Sequence, residues 1–160
     1  MKIIFRQATL SDCEKIASFV IELTDEISHL TDKKHFDINL NQTSEQCKSL
    51  ISHGHYKAIL AELDGETIAI ATLSETYALY ASGKVGLIQE FYVVPSYRSS
   101  GVGSLLLKEV YAFGNTQQWS CVELCTPPLP QFERTLTFYQ RNGLSAVGGR
   151  KMRQTLAINE

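Results

Sequence analysis

The residues best placed to do chemistry lie in one stretch, Ile88-Gln89-Glu90-Phe91-Tyr92-Val93-Val94-Pro95-Ser96-Tyr97-Arg98-Ser99-Ser100-Gly101-Val102-Gly103, followed by Ser104. An apolar strand runs into a proline, a loop of small residues follows, and a helix opens. The loop reads Arg98-x-x-Gly101-x-Gly103. Small residues let successive backbone N–H groups converge on an anion, and a helix N-terminus adds partial positive charge. The pattern is that of a diphosphate site at the end of a strand. A nucleoside-triphosphate loop would need Gly-x-x-x-x-Gly-Lys-[Ser/Thr], and no Lys-Ser or Lys-Thr pair follows these glycines. A dinucleotide fingerprint would need a third glycine where the chain has Leu106. A tight strand-to-helix turn with no ligand is the remaining alternative.

The elements around this loop follow from periodicity and turn residues. Ile3 to Gln7 reads as a short strand. Thr9-Leu10-Ser11-Asp12 offers caps for a helix with Cys13, Ile16, Ala17, Val20 and Leu23 at helical spacing. Residues 24–43 read as polar and irregular, and Ser44 to Ser52 as a second short helix. Tyr56 to Leu63 and Glu66 to Thr76 are strands joined by Asp64-Gly65, a strong hairpin signal. Val85 to Val94 is an apolar strand of the kind buried within a sheet. Helices are expected over Gly101 to Asn115 and Glu133 to Asn142, with a strand over Trp119 to Cys125 between them. Pro127-Pro128-Leu129-Pro130 breaks the chain, and Val147 and Met152 to Ile158 suggest one or two closing strands. The expectation is a mixed α/β domain over residues 1–160, not a regular βαβ alternation.

Bulk properties narrow the function classes. At 160 residues with 44% hydrophobic content, the chain suits one domain with a sizeable core. A net charge of −2 gives no argument for nucleic acid or a membrane surface. The early charges at Lys2 and Arg6 are unlike a signal peptide, so a cytoplasmic setting is expected. Cys13, Cys47, Cys121 and Cys125 lack the spacing of metal or redox sites. In a continuous strand, Cys121 and Cys125 would stand roughly 13 Å apart, too far for a disulfide. No metal is expected.

The run Val93-x-Pro95-x-x-Arg98-x-x-Gly101-x-Gly103 resembles the acetyl-coenzyme A motif of the GNAT N-acetyltransferase superfamily. Gln89 to Gly103 is similar to the same stretch of spermidine/spermine N-acetyltransferases. Phe138-Tyr139-Gln140-Arg141-Asn142-Gly143-Leu144 resembles the superfamily's Phe-Tyr-x-x-x-Gly-Phe segment. The resemblance implies a mostly antiparallel sheet splayed at its fourth strand and flanked by about four helices. It implies acetyl-coenzyme A as cosubstrate. The amides of Ser99, Ser100, Gly101, Val102, Gly103 and Ser104 would hold the diphosphate, with glycines leaving room and Arg98 adding charge or bracing the loop. Phe91, Tyr92 and Val93 would line the pantetheine arm, with Phe91 and Val93 supplying backbone hydrogen bonds.

By the same resemblance, the reaction is acetyl transfer to a primary amine. Such a transfer needs a proton acceptor for the amine, donors for the developing oxyanion, and an acid for the departing thiolate. Tyr139 matches the acid. Backbone N–H groups around Phe91 to Val93 match the oxyanion donors. Glu90 is the candidate base, directly, through water, or as a cation binder. Gln89 stands where the spermidine group has an acid, and Phe132 where many members have a coenzyme-contacting asparagine. His29, His35, His53 and His55 are possible relays. Acidic residues of the segment between the first two helices, Glu22, Asp25, Glu26, Asp32 and Asp37, would wall the acceptor site and favour a cationic amine, foremost a small one: a polyamine, an aminoglycoside or a lysine-like amine. Tyr77, Tyr80 and Tyr92 could line it. The alternatives are a protein or peptide acceptor, or a non-catalytic acyl-coenzyme A sensor. A homodimer is the superfamily's common habit.

Overall fold

Five strands form one sheet in the order β1-β2-β3-β4-β5: Ile4–Gln7, Lys57–Leu63, Glu66–Ala78, Gly83–Val93 and Cys121–Glu123. The first four run antiparallel to their neighbours, and β5 pairs parallel to β4. Four helices flank it: α1 (Cys13–Thr31), α2 (Leu40–Ser52), α3 (Val102–Thr116) and α4 (Glu133–Arg141). The computed structural model describes residues 2–34 and 37–157. The mixed, mostly antiparallel architecture is the one the motifs imply.

Two apolar layers sandwich the sheet. On one face Cys13, Ile16 and Phe19 of α1 and Cys47 of α2 pack on Ala58, Leu60, Ile70 and Tyr92. On the other, Val102, Leu106, Leu107 and Val110 of α3 and Tyr139 of α4 pack on Ile59, Ala61, Ala69, Ala71, Leu73 and Ile88. Alternation along β2 and β3 feeds both layers, which is why these strands read as nearly continuous apolar runs. Asp64 and Gly65 turn the β2–β3 hairpin with φ of 52° and 83°, the left-handed conformation such a two-residue turn requires.

β1 and the entry to α1 are tied by charge. Arg6 donates from Nη1 and Nη2 to both Asp12 carboxylate oxygens at 2.8 Å, and from Nε to Glu62 at 2.9 Å. Asp12 also accepts the Thr9 N–H at 2.7 Å. The Arg6 hydrogen bonds hold the Asp12 carboxyl down to about 2.

The elements depart from the sequence expectation in three places. Helix α1 runs on to Thr31 and α2 begins at Leu40, capped by Asn39, whose Oδ1 accepts from the Gln42 N–H at 3.0 Å. The span expected to be irregular is therefore mostly helix. Its polar residues form the outer faces of helices whose buried faces carry Thr24, Ile27, Ser44 and Cys47. Strand β5 is limited to Cys121–Glu123, because the chain then leaves β4. No strand closes the chain among the described residues after α4. Val147, Met152 and Leu156 are 77–90% exposed, so no sheet neighbour covers them. Ile158 and His35 lie outside the described residues. All four cysteines are free, with Cys13 and Cys47 buried and Cys121 and Cys125 exposed. No described helix is long and apolar enough to cross a membrane.

Candidate active site

Strands β4 and β5 part where the site begins. β5 pairs only with Val85, Gly86 and Leu87, yet β4 continues to Val93. A wedge fixes this fork. Trp119, just before β5, packs edge-on to Phe113 with ring centroids 5.5 Å apart and donates from Nε1 to Glu75 at 3.0 Å. Its ring occupies the space beside Gly86 of β4 and Gly114 of α3, where any Cβ would collide with it.

Beyond the fork, one edge of β4 has no strand partner among the described residues. Val94 donates its N–H to Ile68 of β3 at 2.9 Å, and Tyr92 lies opposite Ile70. Alternation therefore turns the peptide groups of Phe91 and Val93 to the open edge. Tyr92 is different from its neighbours. Its backbone faces β3, and its ring is buried under α1, 5.2 Å from Phe19, with its hydroxyl on Glu22 at 2.7 Å. Burial and Glu22 push that phenol up to about 12.

At the end of β4, Ser99 and Gly101 adopt φ of 61° and 90°. Gly101 is the N-cap of α3. The backbone N–H groups of residues 99–104 meet no acceptor among the described residues. The first turn of a helix leaves such donors unpaired, and the left-handed turn adds more to the same cluster. This is what a diphosphate requires, so these residues fit the diphosphate of the coenzyme that the motif resemblance implies. The two glycines serve different purposes. Gly101 supplies the positive φ. Gly103 admits α4, since a Cβ there would stand 2.9 Å from Phe138 Cζ.

Of the two roles open to Arg98, the structure uses bracing. Its Nε donates to the Val93 carbonyl at 2.8 Å, its two terminal nitrogens grip both Glu26 oxygens at 2.8 Å, and it stacks 5.3 Å from the Tyr92 ring. The Glu26 hydrogen bonds raise its already high pKa. This also revises the acidic wall. Glu22, Asp25 and Glu26 lie on α1 rather than between the helices, and Glu22 and Glu26 are engaged by Tyr92 and Arg98.

A bulge displaces the register between β3 and β4: Thr72 lies opposite Glu90 but Leu73 opposite Ile88, leaving Gln89 as the extra residue. Gln89 donates to Ser74 Oγ at 2.9 Å, and Glu90 turns inward. Thr72 Oγ1 accepts the Glu90 N–H at 2.9 Å and donates to Glu90 Oε2, and the Tyr56 hydroxyl reaches the same oxygen at 3.4 Å. Oε1 has no partner among the described residues. Burial raises the Glu90 pKa, while the hydrogen bonds from Thr72 and Tyr56 oppose the rise. Burial also pushes the nearby Cys47 thiol up to about 12, with Cys13 and Glu90 adding to the effect. Thr72 and Tyr56 are not marked by any motif. A single hydroxyl inside the apolar run Ile68-Ala69-Ile70-Ala71-Thr72-Leu73 is the signal that points to the first.

Tyr139 approaches from the opposite face. It is buried, edge-on to Phe91 at 6.0 Å, and its hydroxyl has no hydrogen-bond partner among the described residues. Burial pushes its pKa well above the ordinary phenol value, so it stays protonated at neutral pH. Phe132, at the N-cap of α4, is buried as packing. Tyr77 and Tyr80 are exposed, and Tyr80 donates to Glu123 at 3.1 Å. His53 and His55 stack on each other in the turn after α2, and His29 lies in the last turn of α1. None of these three has a contact with Glu90 or Tyr139 among the described residues. No group of metal-binding side chains occurs among the described residues.

Comparisons with known proteins agree with this fold. The acetyltransferase (GNAT) family profile matches residues 19–144. An uncharacterized N-acetyltransferase of Archaeoglobus fulgidus is 28% identical over 78 residues, 48% of this chain and 53% of that protein, so the match spans about half of that relative's length. An uncharacterized N-acetyltransferase of Bacillus subtilis is 25% identical over 138 residues, covering 86% and 87% of the two chains. Among solved structures, an aminoglycoside acetyltransferase from an uncultured soil metagenomic sample superposes with a TM-score of 0.75, at 15% identity and 97% coverage of both chains. A ribosomal-protein-alanine N-acetyltransferase from Brucella melitensis gives 0.71, at 15% identity, covering 96% of this chain and 100% of that one. At these identities the structural likeness speaks for the fold.

Proposed function

The chain belongs to the GNAT acetyltransferase family, and on that premise we propose that it acetylates a primary amine of a small cationic molecule, with Glu90 as base and Tyr139 as acid. The observation that carries this reading is the pair of opposed groups at the β4 bulge. A half-buried carboxylate with one free oxygen faces the site from the α1–α2 side, and a free protonated phenol faces it from the α3–α4 side.

Acetyl-coenzyme A supplies the acetyl group as an activated thioester. The amides of residues 99–104 hold the diphosphate, and the Phe91 and Val93 peptides align the pantetheine arm along β4 as an added strand. Glu90 Oε1 takes a proton from the acceptor ammonium, which frees the nitrogen lone pair for attack. Its raised pKa makes it a better base than an exposed carboxylate. The N–H groups at the open edge stabilise negative charge developing on the carbonyl oxygen. Tyr139 Oη holds a proton for the thiolate that leaves.

Charge supports a cationic acceptor. Glu123 lies opposite Leu87 on the outer strand, and that position shares the Glu90 face of the sheet, because Ser74, which receives the bulged Gln89, is also paired with Leu87. A second carboxylate on that face of the sheet favours a polyamine or aminoglycoside, in line with the spermidine-like wording of residues 89–103 and with the substrate named for one structural neighbour. A cytoplasmic setting and a homodimer belong to the same proposal. The test compares kcat/KM for spermidine, an aminoglycoside and an alanine-initiated peptide. Preference for the small cations is expected. Turnover confined to the peptide would overturn the acceptor class.

A further inference from the structure

The loop that binds the diphosphate lacks the charge its own motif suggests, because Arg98 spends its guanidinium on Glu26, the Val93 carbonyl and the Tyr92 ring. A different cation reaches the loop. Arg134, in the first turn of α4, donates from Nη2 to Ser99 Oγ at 3.4 Å. It makes no ion pair among the described residues.

Its position is built into the packing. Arg134 precedes Phe138 by four residues, so the two share one face of α4. Phe138 packs against Gly103 in the first turn of α3, where only a hydrogen fits. The same contact therefore brings Arg134 to Ser99, where the loop begins. Ser99 holds the left-handed φ of 61°, which turns its neighbours' N–H groups into the shared cluster. An exposed guanidinium at Ser99, the first of six residues with unpaired amides, is an incomplete anion site that a diphosphate completes.

We propose that Arg134, and not Arg98, is the side chain that neutralises the coenzyme's diphosphate. The inference rests on the coenzyme reading above but not on the identity of the acceptor. It also explains how the chain dispenses with the asparagine that Phe132 replaces: the coenzyme contact of α4 is supplied two residues later, by a charge.

Calorimetric titration with coenzyme A and with 3′-dephospho-coenzyme A tests it. Arg134→Gln is expected to weaken both ligands by the same factor, about tenfold, the equivalent of ~1.4 kcal/mol. Arg134→Lys, which keeps the charge, is expected to recover part of the loss, and added salt to narrow the gap between the native protein and Arg134→Gln. Equal affinity of native protein and Arg134→Gln for both ligands would overturn the proposal. So would a loss confined to coenzyme A, which would assign Arg134 to the 3′-phosphate. Native protein that binds neither ligand would overturn the coenzyme reading itself.

Discussion

Glu90 shows how one residue's chemistry is set by its neighbours. Burial pushes its carboxyl up, and the Thr72 and Tyr56 hydroxyls pull it back. In its proposed role as base it must be ionised to accept a proton, so activity should rise as pH climbs through its pKa. Thr72→Val removes a hydrogen bond to the carboxylate, and the pKa moves higher. The acidic limb of kcat/KM against pH should shift to higher pH, and Thr72→Ser should restore it. A limb that stays in place in Thr72→Val would separate Glu90 from the proton transfer. Across the site, Tyr139→Phe keeps the ring packed on Phe91 and removes only the proton donor. It should lower kcat by about 10²-fold while sparing coenzyme affinity. An unchanged single-turnover rate would remove Tyr139 from the acid role.

At the scale of elements, the fork between β4 and β5 depends on one wedge. Trp119 fits only because positions 86 and 114 lack side chains. Gly86→Ala forces the ring out of its seat, and overpacking of this kind costs about 1–3 kcal/mol. Its melting temperature should fall, and its coenzyme affinity with it, since the open edge of β4 begins one residue beyond the β5 pairing. Loss of affinity without loss of stability would mean that the wedge shapes the site without holding the sheet together. The elements also show what was legible in the sequence. The Asp64-Gly65 hairpin, the β4 strand and the glycine turn into α3 each announce themselves through local residue chemistry, and the structure has all three. The length of α1 does not. Its second half buries only Thr24 and Ile27, so its composition reads as a solvated loop. The length of β5 is set by its pairing with Val85 to Leu87 of β4, far back in the chain, and the tail stays uncovered because no strand among the described residues pairs with it, neither of which a window of sequence contains.

The whole molecule divides labour between the faces of its sheet. Helices α1 and α2 cover the Glu90 side, where Glu22 and Glu26 of α1 engage Tyr92 and Arg98, while α3 and α4 pack on the other side with Tyr139. The acidic residues of α1, which read from sequence as a substrate wall, are partly spent on this internal bracing, and only distant pairing could reveal that. The glycine turn into α3 and the helix that carries Phe138 and Tyr139 were legible because their signals are local. The Thr72–Glu90–Tyr56 cluster was not, because it joins β3 and β4 to the residue that precedes β2. The most direct test of the account is thiol release from acetyl-coenzyme A, followed with and without a panel of spermidine, aminoglycosides, amino acids and short peptides. The account predicts release that depends on a small cationic amine, with one equivalent of N-acetylated product per thiol. Coenzyme binding with no thiol released by any amine would contradict it and leave an acyl-coenzyme A sensor in its place.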